Sequence, residues 1–180
     1  MQEKTKRIIW EYAESLLIAA ALALIIRTFI ITPFKIPTGS MEPTLIPGDK
    51  IFVNRFIYRF TPPQKGDVIV FRYPEDPKRD FIKRLVASVN EAVEIANGKI
   101  LVNKQAVDNP KIFQKITYLN QGAYGAEGAM IVVPQDNFFV LGDNSASSRD
   151  SRYWGFVPRK FLIGKAVVIW WPLNRIGRIK

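Results

Sequence analysis

The strongest constraint on the fold is an apolar stretch near the N-terminus, LLIAAALALIIRTFII, at Leu16–Ile31. Its one charged side chain is Arg27, and its apolar residues leave no polar helix face. The stretch is shorter than the ~20 residues that usually cross a bilayer, but Trp10 and Tyr12 extend it on the N-terminal side. We expect an uncleaved transmembrane helix at residues 16–31 behind a short tail, residues 1–15. A cleavable signal peptide and a buried core helix are the alternatives.

The distribution of charge says little about the orientation of this predicted helix in a membrane, and it indicates no single binding partner. Basic residues stand on both sides of it, so the positive-inside rule is nearly balanced. The short tail favours a cytoplasmic N-terminus, with residues 32–180 on the extracytoplasmic side. The formal net charge of +10 suits contact with anionic membrane lipid and equally suits an ordinary solvated surface. Because the basic residues are scattered along the chain, we do not predict nucleic-acid binding.

Beyond Pro37 the sequence changes to short β-type runs separated by glycine and proline. We therefore expect a mostly β domain over residues 32–180, either a sandwich or a partly open barrel. The runs are Val68–Phe71, Phe81–Val89, Val93–Ile95, Ile100–Val102, Ile131–Val133, Phe138–Leu141 and Ile163–Trp171. Asn97-Gly98 predicts a hairpin turn between the third and fourth runs. Residues 104–129 predict a smaller, irregular inserted subregion, and Pro74–Asp80 predicts a loop.

The chain contains no cysteine and no histidine, which narrows the chemistry that it can perform. Disulfides, thiol nucleophiles, Cys/His zinc sites and Ser-His-Asp triads are all excluded. A hydrolase made from the remaining residue types needs lysine, aspartate, glutamate or a carboxylate-bound metal to supply its base.

Two segments carry residues that suit such chemistry. In Ile36–Leu45, IPTGSMEPTL, prolines and a glycine restrain the backbone around Ser40. The Thr38 hydroxyl and the Ser40 backbone N–H can together donate to an oxyanion. In the run FIKRLV at 81–86, strand alternation sets Lys83 beside two large apolar side chains, where burial would lower its pKa. Each segment alone is more typical of a structural role, a turn for the first and an edge-strand lysine for the second.

A third segment, Leu141–Pro158, follows an apolar run and is rich in polar residues. Asp143 suits a tight turn in which its side chain caps backbone N–H groups, and Asp150 with Arg152 suits a bracing ion pair. A serine hydroxyl in this segment could orient a neutral lysine. Asp143 and Asp150 also suit metal coordination, but no third carboxylate is grouped with them, so we predict no metal.

Taken together, these segments resemble the type I signal peptidases, or leader peptidases, which are serine endopeptidases with a Ser–Lys dyad. The resemblance covers nearly the whole chain, because four motifs occur in the family's order behind an N-terminal anchor. The motifs are Ser40-Met41-Glu42-Pro43-Thr44, Gly66-Asp67-Val68-Ile69-Val70, Ile82-Lys83-Arg84-Leu85-Val86, and Gly142-Asp143-Asn144 followed by Asp150-Ser151-Arg152 and Trp154-Gly155.

The resemblance implies a catalytic role for four residues. Ser40 attacks the scissile carbonyl, and neutral Lys83 takes its proton and later passes it to the leaving amine. The Thr38 hydroxyl and the Ser40 N–H hold the oxyanion, and Ser148 positions the lysine.

Structural and substrate-binding roles follow from the same resemblance. Asp150 and Arg152 match a structural ion pair of the family, and Asp143 helps to hold their loop. The residues that match the walls of the small substrate pockets are Phe34, Ile36, Leu45 and Ile82.

The implied activity is removal of N-terminal signal peptides from exported proteins at the membrane, by cleavage after small residues in Ala-x-Ala sites. The substrate would bind as an extended strand, and the family needs no cofactor. Two positions depart from the family pattern: Ser145 stands where many relatives carry arginine, and Val86–Asn90 replaces a glycine-rich turn.

Two other functions remain open from the sequence. A self-cleaving Ser–Lys regulator shares the catalytic idea, although the apolar N-terminus argues against it. A membrane-tethered β domain without activity would bind lipid or a protein partner. A separation between Ser40 and Lys83 well beyond about 4 Å would favour this last alternative.

Overall fold

The structure is a computed structural model that describes residues 2–25 and 31–179. Helix α1 spans Gln2–Ile25, so it begins within the predicted tail. Alanine, leucine, lysine and glutamate favour helix here, and Arg7 pairs with Glu11 one turn later at 3.0 Å. Within the described residues, no helix is both long and apolar enough to cross a bilayer. Part of the predicted anchor, residues 26–30, lies outside the described residues.

The remainder of the described chain is mostly β, as the sequence predicts. The strands are β1 Ile31–Lys35, β2 Lys50–Asn54, β3 Val68–Tyr73, β4 Asp76–Ala87, β5 Ala92–Ala96, β6 Lys99–Val102, β7 Gln105–Ala106, β8 Ile131–Val132, β9 Asn137–Leu141, β10 Val157–Pro158, β11 Leu162–Trp171 and β12 Gly177–Arg178. A one-turn helix, α2, spans Ser151–Trp154. Short 3-10 helices span Ile57–Arg59, Lys111–Gln114, Arg159–Phe161 and Leu173–Arg175.

The strands form two antiparallel sheets. The larger has the order β1-β2-β11-β3-β4-β9-β10, with β12 paired to β11, and the smaller has the order β7-β6-β5-β8. β3 lies inside the larger sheet and is buried on both faces, which explains its unbroken apolar sequence Val68–Phe71. Val68 and Val70 pack into one core cluster, and Ile69 and Phe71 pack into another.

Four short strands of the larger sheet were absent from the sequence prediction, namely β1, β2, β10 and β12, and the first two lie next to the segment that contains Ser40. β1 contains Pro33, which has no N–H to donate, and the strand accordingly lies at the edge of the sheet. β2 is only five residues long, although its buried Ile51 and Val53 do alternate with less buried neighbours. The pair is important for function because the chain leaves β1 directly into the segment that contains Ser40.

The hairpins follow local turn chemistry. Asn97 and Gly98 have positive φ angles of 52° and 73° and join β5 to β6, as predicted. The prediction of a loop over Pro74–Asp80 is wrong for most of its length. Only Pro74 and Glu75 form the turn, because β4 begins at Asp76 and Arg72 pairs with Asp80 across the ladder.

The smaller sheet covers the end of β4 and β9. A shared core cluster contains Val86 and Phe139 from the larger sheet together with Val93 and Ile100 from the smaller one. Residues 104–129, the predicted subregion, lie between β6 and β8 and include β7. The sheet to which they belong begins earlier, at Ala92.

Candidate active site

Ser40 lies in a loop whose base is closed by backbone hydrogen bonds. Ile36 N–H donates to the Asp49 carbonyl at 2.8 Å, and Gly48 N–H donates to the Ile36 carbonyl at 2.9 Å. Within the loop, the side chains of Met41 and Leu45 are fully buried in the core cluster beside β2, β3 and β11. Burial of Ile36 before the serine and of Met41 and Leu45 after it therefore restrains Ser40, which is itself only 8% exposed.

Lys83 reaches Ser40 from β4. Its Nζ atom lies 2.7 Å from Ser40 Oγ and 3.0 Å from the Ile82 carbonyl oxygen. The lysine is 4% exposed, and its Nζ lies 5.5 Å from the centre of the Phe81 ring. The distance between Lys83 Nζ and Ser40 Oγ is well below the 4 Å that we took above as the limit for a catalytic pair. The structure therefore brings together the two residues that the sequence singled out.

Burial changes the protonation of this lysine. Loss of hydration lowers the pKa of the Lys83 ammonium to about 8, and Arg152 acts in the same direction, while the charges of Asp150 and Asp143 oppose the shift. At neutral pH a useful fraction of the amine, roughly one tenth, is therefore uncharged. A neutral amine at hydrogen-bond distance from a hydroxyl can accept its proton.

Two donors stand at the serine. Thr38 Oγ1 lies 3.4 Å from Ser40 Oγ, a long contact that nevertheless directs the threonine hydroxyl towards the nucleophile position. In the described part of the chain, no group accepts a hydrogen bond from the Ser40 backbone N–H. The Ser40 N–H is thus free to donate to an oxygen that enters beside Ser40 Oγ, and the Thr38 hydroxyl, which donates to Ser40 Oγ in this structure, can rotate to join it.

A polar loop, residues 142–150, packs directly against the turn that contains Ser40, residues 38–45, which we call the serine turn. Asn144 N–H donates to the Ser40 carbonyl at 3.1 Å, and its side-chain amide donates to the Gly39 carbonyl at 3.1 Å. Only glycine fits at 142, because a β-carbon there would lie 2.5 Å from the Ser40 carbonyl oxygen and 2.1 Å from Ser148 Oγ.

The polar loop is held by a buried ion pair. Arg152 Nε and Nη2 donate to the two carboxylate oxygens of Asp150 at 2.8 and 2.9 Å, with both side chains inaccessible to solvent. Asp150 also accepts from Gly142 N–H at 3.0 Å. Arg152 further donates to Ser145 Oγ at 2.9 Å and to the Leu119 carbonyl at 3.0 Å. Ser145 therefore accepts a hydrogen bond from this arginine. The arginine in turn links the polar loop to Leu119, in the segment between β7 and β8.

A second buried ion pair was not assigned to the site from the sequence. Arg84 donates to both carboxylate oxygens of Asp143 at 2.7 and 2.6 Å and to the Gly66 carbonyl at 2.6 Å. Thr44 Oγ1 also donates to Asp143, which connects the serine turn to the same carboxylate. The sequence did contain a signal for this pair. Arg84 follows Lys83 in a predicted strand rich in apolar residues, and an arginine buried in such a strand needs an anionic partner.

The remaining predicted site residues make fewer contacts with Ser40 and Lys83 or lie outside the cleft. Ser148 Oγ is buried and, among the described residues, has no hydrogen-bond partner. Its role in positioning the lysine stays a prediction. Of the predicted pocket residues, Ile82 lines the cleft at Ser40, whereas Ile36 and Leu45 are buried in the adjoining core cluster and Phe34 packs against that cluster.

The dyad opens into a cleft of about 340 Å³. Besides Ser40, Lys83 and Ile82, its walls are formed by Pro37, Thr38, Arg79, Asp80, Phe81, Ser147 and Arg149. No group of three or more acidic residues in the described chain is arranged to hold a metal ion. The cleft itself presents a hydroxyl, an amine of lowered pKa and nearby hydrogen-bond donors.

A comparison with protein families identifies the class. The family model described as signal peptidase, peptidase S26, matches residues 9–171. The chain therefore belongs to the signal peptidase family S26, and the sequence resemblance and the prediction of a peptidase are confirmed.

Two relatives of similar sequence agree with this membership. Signal peptidase I of Leptolyngbya laminosa is 38% identical over 99% of this chain and 87% of its own length. Probable signal peptidase I-2 of Synechocystis sp. is 37% identical over 93% of this chain and 75% of its own length. A solved signal peptidase I from Enterococcus faecalis V583 is 26% identical, covers 58% of this chain and 97% of its own, and has a TM-score of 0.49.

The Arg84–Asp143 pair generates a stability prediction. Arg84→Met leaves the Asp143 carboxylate buried beside Thr44 without its cation, so we expect the free energy of unfolding to fall by about 3–5 kcal/mol. The double variant Arg84→Met/Asp143→Leu removes both charges and should recover a large part of that loss. Urea unfolding of the full chain in neutral detergent measures both effects.

The exposed pair Arg149–Glu75, at 3.5 Å, supplies the control. Because solvent screens this pair, Arg149→Met should change the free energy of unfolding by less than about 1 kcal/mol. An Arg84→Met variant as stable as the Arg149→Met variant would contradict the assignment of the buried pair as a structural tie.

Proposed function

We propose that this chain is a membrane-bound serine endopeptidase that removes N-terminal signal peptides from exported proteins, with Ser40 as nucleophile and Lys83 as general base. The observation that carries the proposal is the 2.7 Å contact between Lys83 Nζ and Ser40 Oγ, made by a lysine that is 4% exposed. The names of the S26 relatives supply the substrate class.

The first half of the reaction forms an acyl-enzyme. The neutral Lys83 amine accepts the Ser40 hydroxyl proton as Ser40 Oγ bonds to the scissile carbonyl carbon. The resulting oxyanion accepts hydrogen bonds from the Ser40 N–H and the Thr38 hydroxyl. When the tetrahedral intermediate collapses, the C–N bond breaks and the Lys83 ammonium returns the proton to the leaving amine, which is the new N-terminus of the mature protein.

The second half releases the signal peptide. Neutral Lys83 takes a proton from a water molecule, whose oxygen attacks the ester carbonyl carbon. Collapse of the second intermediate breaks the bond to Ser40 Oγ, which recovers its proton from Lys83. In this scheme Ser148 orients the lysine, and the Asp150–Arg152 and Arg84–Asp143 pairs fix the loops that hold both catalytic groups.

Substrate selection is proposed from the family resemblance. A precursor would lie extended in the cleft, with its small residues near Ile82, behind which Phe34, Ile36 and Leu45 pack in the adjoining core cluster. A tight apolar wall excludes larger side chains by steric overlap, which favours alanine at both pocket positions of an Ala-x-Ala site.

A non-catalytic, membrane-tethered β domain explains this geometry less well. Burying a lysine without a carboxylate at hydrogen-bond distance is unfavourable, because the ammonium loses its hydration. A binding domain would gain nothing from such a residue, whereas a peptidase needs its lowered pKa.

Cleavage of a precursor with an Ala-x-Ala site tests the proposal. The full chain in neutral detergent should cut after the final alanine, as identified by mass spectrometry of both products. Ser40→Ala and Lys83→Ala should each lower kcat/KM at least about 10³-fold, because they remove the nucleophile or the base.

A matched variant separates chemistry from folding. Lys78→Ala changes an exposed lysine of the same strand, outside the Ser40 cleft, so it should retain wild-type kcat/KM. Unfolding midpoints confirm that the inactive variants are folded. Normal cleavage by Lys83→Ala would refute the lysine base.

The lowered pKa of Lys83 predicts the pH dependence. The protonated amine is inactive as a base, so kcat/KM should rise about tenfold per pH unit below pH 8 and level off above it. Initial rates between pH 6 and 10 measure the profile, with Lys78→Ala as the control that should follow the wild type. A rate that is flat or falls between pH 6 and 8 would contradict a base with this pKa.

Membrane attachment through residues 16–31 is part of the proposal. It is supported by the side chains of Leu16 and Leu17, which are 73% and 72% exposed on α1 and have no apolar cover in the described structure. The wild-type chain should stay in the membrane pellet after alkaline carbonate extraction, whereas Leu16→Glu/Leu17→Glu should shift it towards the supernatant. Release of the wild type would contradict the anchor.

A further inference from the structure

Several chain segments meet at one end of the larger sheet. Ile31, where β1 begins, pairs with Asn54, where β2 ends, and Asn54 also pairs with Lys165 near the start of β11. Leu162, the first residue of β11, pairs with Phe71 near the end of β3. Residues that follow β2, end β3 and precede β11 are therefore neighbours of the point where the chain enters the β domain.

This end of the sheet holds a cluster of basic side chains. Arg55, Arg59, Arg72 and Lys160 line a cleft of about 490 Å³, which we call the basic cleft. All four are exposed, and none forms an ion pair within the described chain. Asp80 pairs with Arg72 in the backbone ladder, but it lines the Ser40 cleft and makes no salt bridge to the arginine.

Two other cations on or beside this sheet are paired with carboxylates. Lys165 contacts Asp67 at 2.5 Å, and Arg175 contacts Asp49 at 2.9 Å. Four unpaired cations around one depression repel one another, and an anion from outside the chain would relieve that repulsion. The basic cleft thus differs from the scattered positive charge elsewhere on the chain.

Apolar groups accompany the charges. The remaining lining residues are Phe161, Leu162 and Ile163, so a partly apolar wall lies beside the cations. On the rim, the Arg59 guanidinium stacks on the Phe56 ring at 5.2 Å, and Phe60 packs edge-on against Phe56 while staying 72% exposed. A surface that combines guanidinium groups with an uncovered phenyl ring matches the interface of a bilayer, where phosphate and acyl chain adjoin.

We propose that the basic cleft binds the phosphate of an anionic phospholipid headgroup while Phe60 enters the adjoining interface. The proposal rests on the proposed membrane attachment and adds to it a defined lipid contact. Guanidinium groups donate two parallel hydrogen bonds to phosphate oxygens, so the three arginines suit this ligand. Because β1 begins beside Asn54, a chain anchored through residues 16–31 would hold the basic cleft close to the membrane surface.

The test measures lipid bound to the full chain by native mass spectrometry from neutral detergent. The probes are phosphatidylglycerol, phosphatidylcholine and soluble glycerol phosphate. The test variant is Arg55→Gln/Arg59→Gln/Arg72→Gln/Lys160→Gln. The control, Lys99→Gln/Lys104→Gln/Lys111→Gln/Lys115→Gln, removes the same charge from exposed lysines of the smaller sheet and its following segment.

We expect the wild type and the control to bind phosphatidylglycerol alike and more tightly than phosphatidylcholine. The test variant should lose at least about tenfold in apparent affinity for phosphatidylglycerol, since each basic residue near an anionic lipid contributes a severalfold preference. Unchanged binding by the test variant, or an equal loss in the control, would overturn the proposal. Glycerol phosphate bound as tightly as the lipid would indicate a free-phosphate site and would also overturn it.

Cleavage of the Ala-x-Ala precursor, measured on the same samples, separates this proposal from the proposed function. The basic cleft shares no lining residue with the Ser40 cleft, so the test variant should retain wild-type kcat/KM in detergent. A wild type that binds phosphatidylglycerol but does not cleave the precursor would support the lipid site and contradict the peptidase. A wild type that cleaves the precursor but shows no preference for phosphatidylglycerol would support the peptidase and contradict the lipid site.

Discussion

The rest of the site depends on keeping one lysine amine out of water. Lys83 is 4% exposed and holds its amine 2.7 Å from the Ser40 hydroxyl, so the unfavourable burial of a charge becomes a lowered pKa at the position where a base is needed. The charges of Asp143 and Asp150 oppose that shift, and burial outweighs them. Each of these acids is paired with a buried arginine, and Arg152 also lowers the pKa of Lys83. The two carboxylates thus organise the site while the pKa of the lysine stays below its usual value.

The same two ion pairs bring distant parts of the chain together. Asp143 receives hydrogen bonds from Arg84 on β4 and from Thr44 in the serine turn, and Asp150 receives them from Arg152 and the Gly142 backbone. Ser40 and Lys83 lie 43 residues apart in sequence, and neither β4 nor the serine turn alone fixes the distance between them. Close packing at Gly142, which has no room for a β-carbon, completes the contact between the loop and the turn.

The sheet gives the two clefts different surroundings. The Ser40 cleft has an apolar wall that continues into the core through Ile82, which suits selection by size. The basic cleft lies at the end of the sheet where β1 begins, and its cations are exposed and unpaired among the described residues. A peptidase whose substrates arrive through a membrane would benefit from fixing its orientation there, because reaction geometry at the serine tolerates only small displacements.

The sequence by itself determined the mostly β class, the family and the two residues that meet in the cleft. Periodicity and turn chemistry are local, which is why β3, the β5–β6 hairpin and β11 were predictable. The absence of histidine and cysteine left lysine as one of few possible bases, and the family resemblance paired Lys83 with Ser40. Only the tertiary structure decided which side chains are buried. In it Arg84 pairs with Asp143, Ile36 and Leu45 lie in the core, and Arg55, Arg72 and Lys160 lie together at one end of the sheet. Burial and charge pairing depend on strand order and register, and these bring together residues that no local pattern connects.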